Sequence, residues 1–276
     1  MKQPTVRQWI FTVLCFLAAV SGTILMAGAA MAWEIDKMNA QIEQTNVIVG
    51  GVCSGTIISK EDRLVLTAYH CINTQFEDYV EETVDPDTGE IKKVTKRRKL
   101  PLEVWTNKVR DYEIVSTVKY SAKIVASDNK NDIALLQITD TDYIPAAAVV
   151  LAADTYQYKR GKVIYAVGNP GITYDNSITE GIISNSQRSI NMNGIDFKFF
   201  QHSASIIGGN SGGSILNEDG ELIGTVSAGL RGANIGFAVP ISFTKDMLKR
   251  AGFIKIIPST DNMPIINKTP PTKGPM

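Results

Sequence analysis

The chain has 276 residues, of which 44% are hydrophobic, which is enough for one medium-sized domain or two small lobes with real cores, plus tails. Lysine and arginine together number 28, and so do aspartate and glutamate, so the formal net charge at pH 7 is zero. Such a balance offers no electrostatic basis for binding nucleic acid or an acidic partner, and we set nucleic acid aside as a partner.

The first element in chain order is an uncharged apolar run over residues 9–32. Its length suits a membrane-spanning helix, whereas Ala30-Met31-Ala32 forms a good signal-peptidase site. Residues 1–32 are therefore either a retained membrane anchor or a cleaved signal peptide, and the sequence does not choose between them. In both cases the following chain is exported, to the periplasm or the extracellular space. Residues 33–46 are polar and indicate a short helix or linker.

The body of the chain, residues 47–255, consists of short runs rich in β-branched and aromatic residues, separated by turn residues. Clear examples are RLVLTAYH from Arg63, DIALLQI from Asp132 and ELIGTVSA from Glu221. The only good helix signal in the body is SFTKDMLKRAGF near its end. This pattern predicts an all-β barrel or sandwich with one C-terminal helix.

Two segments depart from the strand pattern. Residues 75–112 hold an acidic block, FEDYVEETVDPDTGE, followed by a basic block, IKKVTKRRK. We interpret them as a long surface hairpin whose arms pair by charge, with a solvated, disordered loop as the alternative. Residues 256–276 are rich in proline and lack periodicity, which is typical of a disordered tail.

Two of the cysteines are candidates for a disulfide. Cys15 lies in the apolar run, which leaves Cys53 and Cys71 as an even pair in the body. In an exported chain such a pair favours a disulfide, with two buried free thiols as the alternative. Closing a loop of this size would stabilise the fold by about 3 kcal/mol on the chain-entropy model.

A candidate nucleophile lies in the stretch GGNSGGS, Gly208 to Ser214, between two strand-like runs. This stretch places the hydroxyl of Ser211 among four glycines. Glycines permit backbone angles closed to other residues and let amides approach a substrate carbonyl. A flexible Gly-Ser linker is the alternative, but strands on both sides make it a poor one.

A nucleophilic serine needs a base, and the chain has two histidines. His70 ends an apolar strand and is the better candidate. His202 lies only nine residues before Ser211, and along an extended strand such residues are too far apart for a hydrogen bond. We interpret His202 as a strand or rim residue. A carboxylate must hold the imidazole in the right tautomer. Asp132 opens an apolar strand and is preferred to Asp128. The sequence thus predicts a His-Asp-Ser triad, without a metal or cofactor.

The stretches TAYHC, NDIALLQI and GGNSGGS, in that order, resemble the His, Asp and Ser motifs of trypsin-like serine proteases. AVGNPG, ITEGIIS, GELIGTVSA and NIGFAVP further resemble the protease domain of the HtrA (Deg) type, and the similarity covers roughly residues 47–255. The resemblance implies two perpendicular six-stranded β-barrels with the active site between them. It implies protein or peptide substrates and leaves open whether the chain forms a homo-oligomer. Only a short proline-rich segment follows the body, so we expect no regulation through a PDZ domain.

The resemblance also assigns roles to single residues. His70 would be the general base, Asp132 its orienting acid and Ser211 the nucleophile of a peptide hydrolase that forms an acyl-enzyme. The loop Gly209-Asn210-Ser211 would form the oxyanion hole, through the amides of its first and last residues. The primary specificity pocket would be lined by uncharged residues, namely Ser205, Ile206, Thr225, Val226 and Ser227.

An uncharged pocket predicts cleavage after small or medium aliphatic residues. A glutamyl endopeptidase that uses His202 to bind an acidic side chain is one alternative. A non-catalytic binding protein on the same fold is the other, because fold alone does not determine function.

The stretch NVIVGG, Asn46 to Gly51, resembles the activation site of trypsin-like zymogens. In those enzymes an aspartate just before the catalytic serine pairs with the freed terminal amine, whereas this chain has the neutral Asn210. The spacing from Ile48 to His70 is also too short for an inserted N-terminus plus the usual strands. We therefore predict that the stretch is the first strand of the first barrel and that activity needs no cut before Ile48.

Overall fold

The structure is a computed structural model that describes residues 36–258, apart from 74–75, 85, 87, 89, 111–112, 173–175, 193 and 231. The apolar run at 9–32 and the tail from 259 lie outside the described residues, so the interpretations of both remain predictions. The chain divides into two compact units, Met1–Ile42 and Glu43–Met276. In the first unit the structure describes helical residues only. None of the described helices is long and apolar enough to cross a membrane.

The second unit is built mainly of short strands. The α-helices among the described residues of the whole chain are α1 (36–45), most of which belongs to the first unit, α2 (Tyr69–Asn73) and α3 (Ile241–Arg250). In chain order the strands are β1 (Asn46–Val49), β2 (Cys53–Ser59), β3 (Leu64–Thr67), β4 (Phe76–Val84), β5 (Ile91–Lys99), β6 (Glu103–Arg110), β7 (Glu113–Asp128), β8 (Ile133–Ile138), β9 (Val163–Gly168), β10 (Ser177–Met192), β11 (Ile195–His202), β12 (Ser214–Leu216), β13 (Leu222–Gly229) and β14 (Gly236–Pro240).

Twelve of these strands form two closed six-stranded barrels. The first has the order β1-β2-β3-β8-β7-β6 and the second β10-β11-β14-β13-β12-β9, with antiparallel pairing between neighbours. This arrangement, with α3 after the last strand, confirms the predicted double barrel with a C-terminal helix. Each barrel is filled by its own aliphatic and aromatic side chains. Burying one such side chain stabilises the fold by about 1.5–3 kcal/mol.

The predicted disulfide is present. Cys53 at the start of β2 and Cys71 in α2 are bonded, and both are buried in the core of the first barrel. The bond ties a short helix of five residues to a barrel strand. So short a helix has little stability of its own. Because this helix carries His70, the disulfide helps to fix the position of that residue.

The stretch NVIVGG is strand β1 with its turn, as predicted. Ile48 is buried and pairs with Ser54 on one side and Trp105 on the other, which closes the first barrel. The turn to β2 uses Gly51 at φ +72°, where an added Cβ would lie 2.8 Å from the Trp105 ring. The resemblance to an activation site therefore coincides with a barrel strand within the fold.

The predicted insertion at 75–112 is shorter in the structure. Strands β4 and β5 form a separate two-stranded sheet, as expected for a hairpin. Its arms are joined by ion pairs between Asp78 and Arg97 at 2.7 Å and between Glu77 and Arg98 at 2.6 Å. The prediction was wrong for Glu103–Arg110, which is the barrel strand β6. The sequence does not reveal this strand because Val104 is its one buried residue among those whose burial is described, and most of the others are polar.

His202 is a buried residue of the second barrel. It is 0% exposed on β11, and an added Cβ on its partner Gly236 would lie 2.2 Å from the imidazole ring. Neither ring nitrogen has a hydrogen-bond partner of normal geometry among the described residues. Burial lowers the pKa of His202 to about 4, and the nearby backbone of Ala204 offsets this only in part.

We expect this histidine to make the fold sensitive to acid. The unfolded chain binds the proton at its ordinary pKa of about 6.5, whereas the folded chain resists it down to about 4. The contribution is therefore complete above pH 6.5, and about 3 kcal/mol is lost as the pH falls from 6.5 to about 4.

Urea unfolding of the full chain at several pH values in this range measures the loss. The His202→Gln variant removes this titration but leaves the carboxylates, so its free energy of unfolding should fall less steeply than that of the wild type. Equal pH slopes for the two proteins would contradict the expectation.

Candidate active site

The two candidate aspartates lie in different surroundings. Asp128 caps the single turn Asn129–Asn131, accepts the Asn131 amide at 3.2 Å and pairs with Arg250 at 2.9 Å. Asp132 follows that turn in the left-handed conformation, at φ +52°, and opens β8. The turn thus directs Asp132, and not Asp128, towards His70.

His70 and Asp132 form a tight pair. Nδ1 of His70 lies 3.0 and 2.9 Å from the two carboxylate oxygens, and the His70 amide donates to Oδ1 at 3.0 Å. The carboxylate is almost fully buried, whereas the His70 side chain is 44% exposed. Because a carboxylate oxygen only accepts, the neutral ring carries its proton on Nδ1 and its lone pair on Nε2.

Ser227 connects this pair to the third predicted residue. Its hydroxyl donates to Oδ2 of Asp132, and its backbone carbonyl accepts the Ser211 hydroxyl at 3.4 Å. Strand β13, which carries Ser227, thereby brings the second barrel to the carboxylate of the first. Sequence reasoning placed Ser227 only in the specificity pocket, because nothing in the stretch GTVSA indicates a bond to a distant aspartate.

In the loop around Ser211, hydrogen bonds to every second carbonyl hold the orientation of the peptide planes. The carbonyl of Gly208 accepts the Gly171 amide at 2.7 Å, and that of Asn210 accepts the Gly213 amide at 2.9 Å. In a trans peptide the N–H points opposite to the C=O, and the described chain has no cis bond. The next amides, of Gly209 and Ser211, therefore point away from these partners. Neither amide donates to any residue that the structure describes.

Gly209 is required by its surroundings. Its φ is +102°, and an added Cβ would lie 2.4 Å from the Asn169 carbonyl. The glycine therefore permits both the backbone angle and the close approach of a neighbouring loop. The side chain of Asn210 is buried, so this position holds a neutral amide inside the fold.

A cavity of about 640 Å³ opens beside Ser211. Its lining includes four of the five predicted pocket residues, namely Ser205, Ile206, Val226 and Ser227, and none of the described lining residues is charged. Thr225 is not among them. It is 1% exposed in β13, between β12 and β14, and lies outside the described lining. His202 is also absent from the described lining.

Comparison with known proteins places these features in a family. The trypsin-like peptidase domain family matches residues 53–224, which include His70, Asp132 and Ser211. The chain is 38% identical over 137 residues to the periplasmic pH-dependent serine endoprotease DegQ of Escherichia coli, a match that covers 48% of this chain and 29% of that protein.

Two further relatives are also named as serine proteases. A probable periplasmic serine endoprotease DegP-like of Rickettsia prowazekii is 34% identical over 144 residues, covering 50% of this chain and 28% of that protein. A serine protease HtrA-like of Staphylococcus aureus is 33% identical over 141 residues, covering 46% of this chain and 18% of that protein. The chain spans less than a third of the length of these relatives. The match over more than half of this chain shows that it belongs to the family of trypsin-like peptidase domains.

Proposed function

We propose that the chain is an exported serine endopeptidase whose catalytic domain is residues 47–255. The observation that carries the proposal is the linked set of His70, Asp132, Ser227 and Ser211, beside two amides without a described acceptor. The names of the relatives support the reaction, and the word periplasmic in two of them supports export.

The proposed reaction is acyl transfer. The Ser211 hydroxyl attacks a peptide carbonyl while Nε2 of His70 takes its proton, and His70 then gives that proton to the leaving amine. Water releases the acyl group by the same steps in reverse. Asp132 holds the ring tautomer and stabilises the imidazolium that forms, and Ser227 in turn holds Asp132.

The negative oxygen of the tetrahedral intermediate would bind the amides of Gly209 and Ser211. Donors that are already oriented stabilise a charge that develops only in the transition state, and losing one typically costs about 3–4 kcal/mol of barrier. Because Gly171 and Gly213 fix the peptide planes in the chain as it stands, no cut before Ile48 is needed to orient these amides. Asn210 offers no charge for a freed amine to pair with.

The uncharged cavity favours small or medium aliphatic side chains at the cleaved position. A carboxylate there would be needed to bind lysine or arginine, and a cation to bind glutamate. The glutamyl alternative depended on His202, but burial holds the pKa of this residue to about 4 and keeps its ring neutral near pH 7. That alternative therefore has no support among the described lining residues.

The first experiment is labelling of the uncut full chain with a fluorophosphonate, followed by mass mapping of the modified residue. We expect modification at Ser211, no modification in Ser211→Ala, and normal modification in Ser203→Ala, a nearby serine outside the proposed machinery. Labelling that requires Ile48 to become the N-terminus would contradict the proposed absence of activation. A folded chain that is never labelled would favour the non-catalytic binding protein.

A second experiment tests the support of the aspartate. Ser227→Ala leaves the buried carboxylate short of one donor, so we expect kcat/KM to fall about 10- to 100-fold. The pH profile of kcat/KM should change with it, since the group that orients His70 is altered. An unchanged rate and profile in a folded variant would remove Ser227 from the mechanism.

A third experiment tests the pocket with peptides that differ only at the cleaved position. We expect kcat/KM for valine or alanine to exceed that for glutamate, lysine and arginine by at least about 10-fold. Ser205→Asp places a carboxylate in the cavity and should shift the preference towards lysine and arginine. If the wild type prefers arginine, or if Ser205→Asp changes nothing, the pocket has been wrongly assigned.

A further inference from the structure

Ser54 is a buried polar residue near the start of β2, 0% exposed, and it contacts the nucleophile loop with its backbone and its side chain. Its amide donates to the Ser211 carbonyl at 2.8 Å, and its hydroxyl donates to the Gly209 carbonyl at 2.7 Å. Its own carbonyl accepts the Thr67 hydroxyl at 2.7 Å. Two polar groups of Ser54, its amide and its hydroxyl, therefore bind the nucleophile loop, and its carbonyl is held within the first barrel.

The hydroxyl has a defined direction. It accepts the amide of Asn169 at 2.8 Å, and a hydroxyl has a single proton, so that proton is left for the Gly209 carbonyl. Asn169 is held in turn, because its side chain donates to the Val47 carbonyl at 2.9 Å and accepts from Asn46 at 3.0 Å. The donor that faces the loop is thus oriented by groups from both barrels.

With these bonds, the other two carbonyls of the nucleophile loop are also held. The carbonyls of Gly208 and Asn210 are held within the second barrel, by Gly171 and Gly213. The two remaining carbonyls, of Gly209 and Ser211, are both held by Ser54. Every carbonyl from Gly208 to Ser211 therefore has a hydrogen-bond donor. Two of the four donors are the amide and the hydroxyl of Ser54 in the first barrel.

We propose that Ser54 is a positioning residue that sets the oxyanion hole from across the barrel interface, an inference that rests on the function proposed above. Without the hydroxyl, the part-buried carbonyl of Gly209 loses its donor, and the peptide that carries it rotates to find another. Gly209 lacks a Cβ and sits at φ +102°, so its backbone offers little resistance. The 209–210 peptide joins the two peptides that carry the Gly209 and Ser211 amides, so its rotation changes the relative orientation of these amides towards the developing oxyanion and leaves the substrate cavity unchanged.

The test compares Ser54→Ala with Ser59→Ala in the full chain. Ser59 is a matched control, since it is also buried in β2 and also loses a hydroxyl that is bonded, to Asp62 at 3.1 Å, at the far end of the strand. We expect Ser54→Ala to lower kcat about 10- to 100-fold with little change in KM, after normalisation to the folded fraction. Ser59→Ala should keep the wild-type kcat.

A pair of inhibitors separates positioning from general loss of structure. A peptidyl trifluoromethyl ketone forms a tetrahedral adduct with an oxyanion, whereas the corresponding peptidyl alcohol binds the same cavity without one. We expect Ser54→Ala to weaken the ketone by about the same factor as kcat and to leave the alcohol unchanged. Equal weakening of both inhibitors, or a wild-type kcat, would overturn the inference.

Ser54→Thr and Ser54→Val provide the comparison if the alanine variant does not fold. The two side chains have the same shape, and only threonine keeps the hydroxyl. We expect threonine to exceed valine in kcat and in affinity for the ketone, and equal values would overturn the inference. A wild-type chain that neither cleaves peptides nor accepts the label would instead contradict the proposed function and this inference together, so the two failures are distinguishable.

Discussion

The arrangement of the site depends on one buried carboxylate. Asp132 is 6% exposed, and a charge at such a position is tolerated only when hydrogen-bond donors surround it. The backbone and the ring of His70 supply two donors, and the hydroxyl of Ser227 supplies the third. Since Ser227 belongs to the other barrel, satisfying this one charge also fixes the barrels relative to each other at the site.

Other polar contacts along the same interface also hold the two barrels in a fixed relative position. The side chains of Asn46, Asn169 and Asn176 form a chain of hydrogen bonds that joins β1 to the loop after β9. Neither barrel alone contains the site, because the base and the acid lie in the first and the nucleophile in the second. Directional bonds specify this interface more narrowly than apolar packing could, since a shift of 1 Å breaks them.

The sequence was sufficient for the fold and for the pairing of His70 with Asp132. Short strand-like runs and turn residues predicted an all-β barrel or sandwich. The resemblance to trypsin-like proteases implied the two six-stranded barrels and the proximity of His70 and Asp132. What it could not reveal were contacts between residues far apart in the chain, such as Ser227 with Asp132 and Ser54 with Gly209. Local patterns carry no information about such pairs.

Two predictions differ from the structure. Thr225 and Val226 are neighbours in β13, yet only Val226 lines the cavity, and the sequence does not show where along the strand the cavity begins. Strand β6 was not predicted because most of its residues are polar.

The hairpin of β4 and β5 is stabilised by different forces from the barrels. Its strands are joined by exposed ion pairs, each of which contributes little and weakens as salt shortens the Debye length from about 8 Å at physiological ionic strength to about 3 Å at 1 M. The barrels rest on apolar burial, which excluded salts such as sulfate strengthen. A high concentration of sulfate therefore strengthens the apolar packing of the two barrels while it weakens the ion pairs of the β4–β5 hairpin.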